Sequence, residues 1–142
     1  MLDRLQHRDH TLRSVSQACK LVSDRVESPE WKEFRLQVVS AVSEAFNNIV
    51  LHGYEGREDG VIEVEIRTGP DHIDVELRDW GASFDPNKIP QPDFDSLPES
   101  GLGMYIIRAF MSMRYHPGKK GRPNVLVLSK ALEGPGPSRG KT

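Results

Sequence analysis

Apolar side chains recur every three or four residues near the start of the chain, at Leu12, Val15, Cys19, Leu21, Val22 and Val26. That interval keeps one face of a helix apolar and predicts a helix over roughly residues 11–27. Ser28-Pro29 interrupts the pattern, with Ser28 placed to cap a second helix. The second helix is expected from about Pro29 to His52, ending near Gly53. At about 100° per residue, Val38, Val39, Val42, Phe46, Ile49 and Val50 fall on one arc. Glu44, Asn48 and His52 stand at i, i+4 and i+8 and line up on the opposite side.

The period then changes to two. Val61-Ile-Glu-Val-Glu-Ile-Arg67 and His72-Ile-Asp-Val-Glu-Leu-Arg78 alternate apolar and polar, and Thr68-Gly69-Pro70-Asp71 supplies a turn, so they predict an antiparallel hairpin with one face buried. From Asp79 to Ser100 no period is visible, and Pro86, Pro90, Pro92 and Pro98 forbid helix and central strand alike. A loop of that length inside one domain is usually functional. Gly101 to Met111 reads as a glycine-opened helix with Leu102, Ile106, Ala109 and Phe110 as core candidates, and Asn124 to Lys130 as a nearly continuous apolar strand, hence a central one. The order helix, helix, strand, strand, loop, helix, strand predicts an α+β fold: a two-layer sandwich with helices on one face of a mostly antiparallel sheet.

Composition narrows the function classes. The chain of 142 residues is one average domain, read as a folded unit over residues 1–132 and a glycine- and proline-rich flexible tail from Glu133 to Thr142. Nineteen Lys and Arg against 21 Asp and Glu give a net charge of −2, so no basic field for duplex nucleic acid and no polybasic membrane patch is expected. Cys19 is the sole cysteine, which excludes an intramolecular disulfide and a cysteine-based zinc site. No run of eighteen apolar residues and no signal-like N-terminus is present, so a cytoplasmic location without membrane contact is the expectation.

Three constellations carry candidate chemistry. In Glu44-x-x-x-Asn48-x-x-x-His52 a carboxylate able to take a proton stands one turn from an amide oxygen, a hard ligand suited to Mg²⁺. The same spacing also fits a solvated helix face. Asp79-Trp80-Gly81 ends a strand with a carboxylate that can accept from an amino group and a glycine that leaves room for a flat ligand, though Asp and Gly are also ordinary turn residues. Gly101-Leu102-Gly103 opens a helix whose free N–H groups suit phosphate, or else makes a hinge. No P-loop, nucleophile elbow or protein-kinase signature is present. Taken in order, the three describe one adenine-nucleotide pocket.

Ser43-Glu-Ala-Phe-Asn-Asn-Ile-Val-Leu-His-Gly-Tyr54, Arg78-Asp-Trp-Gly-Ala-Ser-Phe-Asp-Pro86 and Ser100-Gly-Leu-Gly-Met-Tyr-Ile-Ile-Arg-Ala-Phe-Met111 closely resemble the motifs of the anti-sigma-factor serine kinases. These belong to the ATP-binding superfamily of gyrase, the 90-kDa heat-shock chaperones, histidine kinases and mismatch-repair ATPases. The resemblance spans roughly residues 11–132 and implies a Bergerat-type fold with a mixed sheet, ATP and Mg²⁺ as cofactors, and phosphorylation of a serine on an anti-anti-sigma antagonist. A sigma factor or other regulatory target and a homodimer are the further partners it implies. On this reading Glu44 is the general base, Asn48 the Mg²⁺ ligand and Asp79 the acceptor for the adenine amino group. Gly81 lets the base pack close, and Gly101, Leu102 and Gly103 fold over the phosphates. His52 is placed either on phosphate or in a structural role, and Arg108 on phosphate or in solvent. A non-catalytic module in which nucleotide sets partner affinity is the alternative. Ser83 stands where the family commonly has a second glycine, and Met1 to His10 is a poor match to the family's opening edge strand.

Overall fold

The computed structural model describes residues 2–7, 12–26, 31–55, 60–88 and 102–131. Ser28, most of the proline-rich loop, Gly101 and the tail at 133–142 lie outside the described residues. The elements run β1 (Leu2–His7), α1 (Leu12–Arg25), α2 (Lys32–Asn48), a π turn (Ile49–Gly53), β2 (Ile62–Thr68), β3 (His72–Asp79), α3 (Leu102–Phe110), β4 (Ser112–His116) and β5 (Asn124–Ala131).

The five strands form one sheet in the order β1-β2-β3-β5-β4. Each described pairing is antiparallel, so the mixed character implied for the sheet is not seen among these strands. Because β3 and β4 both run antiparallel to β5, they are parallel to each other, and α3 carries the chain across with β5 inserted between them. Ile62, Val64 and Ile66 of β2, Ile73, Val75 and Leu77 of β3, and Leu126 and Leu128 of β5 are buried. They share one core with Val22 of α1, Val38, Val42 and Phe46 of α2, and Ile107 of α3, which makes the two-layer sandwich. On the other face Arg78 is ringed by Glu63, Glu65 and Glu76, so the polar half of the alternation is paired across strands.

Three expectations change. Leu2–His7 is a strand, paired with β2 from Leu2↔Arg67 to His7↔Ile62, although the pattern of residues 1–10 argued against one. Its two leucines recur at an interval of three, so period-two reading passes over it, and the backbone ladder with the open edge of β2 decides the matter. Ser112–His116 is a fourth strand that the reading left unassigned, and its alternation Ser-Met-Arg-Tyr-His is the signal that could have found it. In α3 the buried residues are Met104 and Ile107, followed by Met111, whereas Leu102 is 40% exposed and Ala109 is exposed too. The expected core stripe of α3 was therefore out of phase, because Gly103 turns toward α2.

Candidate functional site

The C-terminal end of β3 and the N-terminal end of β5 are register partners, Asp79 against Asn124. Both side chains are buried, at 1% and 2% exposure. Asp79 Oδ1 accepts from Asn124 Nδ2 at 3.0 Å and from the Gly81 N–H at 2.9 Å. Burial pushes the Asp79 carboxyl above the ordinary carboxylate range, and the two hydrogen bonds only partly offset it. No cation neutralises it among the described residues. Asn124 uses its whole amide: Nδ2 also donates to Gly81 O at 3.0 Å, while Oδ1 accepts from Ser83 Oγ at 2.6 Å and Gly118 N at 2.7 Å. One residue thus holds the Asp79-Trp80-Gly81 turn, Ser83 and the β4–β5 connection together. Sequence reasoning missed Asn124, since nothing but its place at the head of a strand marked it out. Ser83, noted only as a missing glycine, is a fixed member of this network.

The end of α2 is locked to the same turn. Tyr54 N donates to Ile49 O at 3.0 Å, an i→i+5 bond that widens the last turn by one residue. Gly53 O then accepts from Ala82 N at 2.7 Å. A Cβ on Gly81 would lie 2.4 Å from that same carbonyl oxygen, so close backbone approach alone demands glycine there. Tyr54 is buried beneath, its hydroxyl donating to Val61 O at 2.6 Å and accepting from Trp80 N at 2.9 Å. Replacing Gly81 with Ala is expected to destabilise the fold by about 1–3 kcal/mol through overpacking. A thermal melt should register this as a midpoint lowered by roughly 5–10 °C. An unshifted midpoint would mean the turn yields freely.

The π turn also breaks the polar stripe expected on α2. His52 sits within it, exposed, with its ring 5.4 Å from Phe84, which in turn lies 5.4 Å from Tyr115. Glu44 and Asn48, still in regular helix, keep their i,i+4 relation. A Cβ on Gly103 would come 2.7 Å from Glu44 Oε1, so the glycine at the head of α3 is what lets that carboxylate lie against the helix. Asn48 Nδ2 is buried and finds no hydrogen-bond partner among the described residues. A buried amide left unsatisfied is uncommon and costs free energy unless something supplies the partner. Arg108 Nη2 donates to Pro86 O at 3.0 Å, tying α3 to the start of the loop. Leu102 is exposed at the head of α3, and Gly101 lies outside the described residues.

The structure therefore brings Asp79, Gly81 and Gly53 together at one end of α2, and Glu44 and Gly103 together further back. Nine residues, the last five of them in the π turn, separate Glu44 from Gly53 along the chain. Buried carboxylate, tight glycine turn, unsatisfied amide and helix start together define a nucleotide-binding domain of the α+β sandwich class.

Comparison with known proteins agrees. Residues 8–130 match the histidine kinase-like ATPase domain family, and the chain belongs to it. It is 33% identical over 97 residues to the anti-sigma F factor of Clostridium beijerinckii, covering 66% of this chain and 68% of that protein. It is 38% identical over 78 residues to the anti-sigma F factor of Clostridium botulinum strain Eklund 17B, covering 52% and 54%. It is 38% identical over 79 residues to the serine-protein kinase RsbW of Oceanobacillus iheyensis, covering 50% of each. The chain thus spans between half and about two thirds of the length of these relatives. No helix among the described residues is long and apolar enough to cross a membrane.

Proposed function

We propose that this chain is an ATP-dependent anti-sigma regulatory factor and protein serine kinase, which holds a sigma factor or similar target and phosphorylates a serine on its antagonist. The carrying observation is Asp79: a fully buried carboxylate with a raised pKa and neutral donors only, which a fold keeps at a cost unless a ligand uses it. An adenine amino group is a ligand of the right polarity. The family membership and the names of the similar proteins support the same reading.

In the transfer, the serine oxygen forms a bond to the terminal phosphorus as the bond from that phosphorus to its bridging oxygen breaks. The electron pair leaves with ADP, and Glu44 takes the serine proton. Phosphoryl transfer depends chiefly on positioning and charge neutralisation, so the residues supply orientation more than covalent help. Asn48 is the residue to hold Mg²⁺: its buried Nδ2 has no hydrogen-bond partner among the described residues, the assignment of N and O on an amide can be exchanged, and an amide oxygen is a hard ligand. The ion, when bound, neutralises phosphate oxygens. Gly103 keeps the Glu44 carboxylate against the head of α3, beside N–H groups that suit phosphate.

Calorimetric titration of ATP and ADP, with and without Mg²⁺, tests the reading. ATP binding that strengthens with Mg²⁺ is expected; absence of heat with either nucleotide would remove ATP from the account.

A further inference from the structure

We propose that the β4–β5 hairpin is a docking surface for an acidic segment of a partner protein, a role separate from the nucleotide site and independent of the kinase reading. Residues 102–131 carry six Lys and Arg and no Asp or Glu, so all 21 acidic residues of the chain lie elsewhere. Arg114 and His116 are exposed on β4, and Lys119, Lys120 and Arg122 are exposed on the connection to β5. None of these five forms an ion pair among the described residues.

The backbone of the hairpin is fixed by hydrogen bonds at its turn and at Gly118. Arg122 N donates to Lys119 O at 3.0 Å across a two-residue turn, with Lys120 at φ 51° and Gly121 at φ 85°. Positive φ at both central positions is the type I′ pattern that Asn-Gly fills with least strain, yet a lysine stands first here. Left-handed strain at a non-glycine residue is a recognised mark of function. A Cβ on Gly118 would lie 2.1 Å from Arg122 O, so the loop is closed on its own backbone, and Gly118 N is fastened to Asn124.

The surface is also shaped. A concavity of about 520 Å³ is lined by His116, Lys119, Lys120, Arg122 and Val125. A second, of about 430 Å³, is lined by Ser83, Phe84, Asp85 and Tyr115, and the two share Pro117. Among the described residues β4 ends the sheet and pairs on one side only, so a chain can run along its outer edge. A segment crossing Pro117 would set acidic side chains on the hairpin and an apolar one against Phe84 and Tyr115. A nucleic acid fits less well: its charge continues past the hairpin, and the chain as a whole carries a net charge of −2.

The test uses the full chain, ¹⁵N-labelled, titrated with a hexaglutamate peptide and separately with a hexathymidylate oligonucleotide. Hexaglutamate should bind, with amide shifts confined to residues 112–125 and 83–85, and added salt should weaken it. Reversal of three charges (K119E, K120E and R122E together) should lower its affinity by roughly tenfold or more. Lys120→Gly should lower it by about threefold while relieving the backbone strain, so that loss cannot be laid to unfolding. Shifts elsewhere, an affinity indifferent to both variants, or tighter binding of the oligonucleotide than of the peptide would each overturn the assignment.

Discussion

Exchanging Glu44 for Gln is expected to slow phosphoryl transfer by roughly 10²–10⁴-fold while nucleotide affinity stays within a few-fold of the unmodified chain. The two side chains have nearly the same shape, so the contact that Gly103 makes room for is kept and α2 and α3 stay packed. What changes is basicity: a carboxamide does not accept a proton from an attacking hydroxyl. Transfer of labelled phosphate to the antagonist's serine measures the first effect, and calorimetry the second. Transfer at the unmodified rate would refute the base and favour a module that binds nucleotide only to set partner affinity. Parallel loss of binding would show instead that Glu44 shapes the pocket.

Much of this arrangement was legible in the sequence, for identifiable reasons. The β2–β3 hairpin and the central β5 follow from period-two alternation and from a continuous apolar run, signals that tertiary context seldom overrides. Asp79, Gly81, Glu44 and Gly103 were singled out by residue type and order, and the fold brings them to two places along one helix. What escaped has a common cause: it depends on partners far away in the chain. β1 exists because β2 has an edge to offer. The phase of α3 follows from a glycine 59 positions after the glutamate it meets, a contact no local period encodes. The π turn that removes His52 from the polar stripe is set by the Gly53 carbonyl reaching Ala82 N. Asn124 becomes visible only once β5 is laid beside β3.

Asp79→Asn is expected to weaken ATP and ADP binding by roughly 100-fold without lowering the stability of the fold at neutral pH. Asp79 Oδ1 is held by two N–H donors, from Gly81 and Asn124. An asparagine there must keep its oxygen in that position, which turns its NH₂ toward the place where the carboxylate would accept from the adenine amino group. Two donors then face each other and the recognition is lost. Stability moves in the opposite direction. Burial raises the Asp79 pKa above its unfolded value, so the folded chain holds that proton more tightly. Its contribution to stability is fully present below the unfolded pKa, near 4, and is lost as pH rises through the raised folded value. Once pH exceeds the unfolded pKa, burying this carboxyl is therefore a net cost to the fold, and the neutral amide removes it. Melts of both proteins between pH 4 and pH 8 should show the gap in favour of Asn widening with pH, while calorimetry shows the nucleotide gone. A variant that melts well below the parent at pH 7 would mean the carboxylate is held for the fold, and the case for a ligand at Asp79 would fall with it.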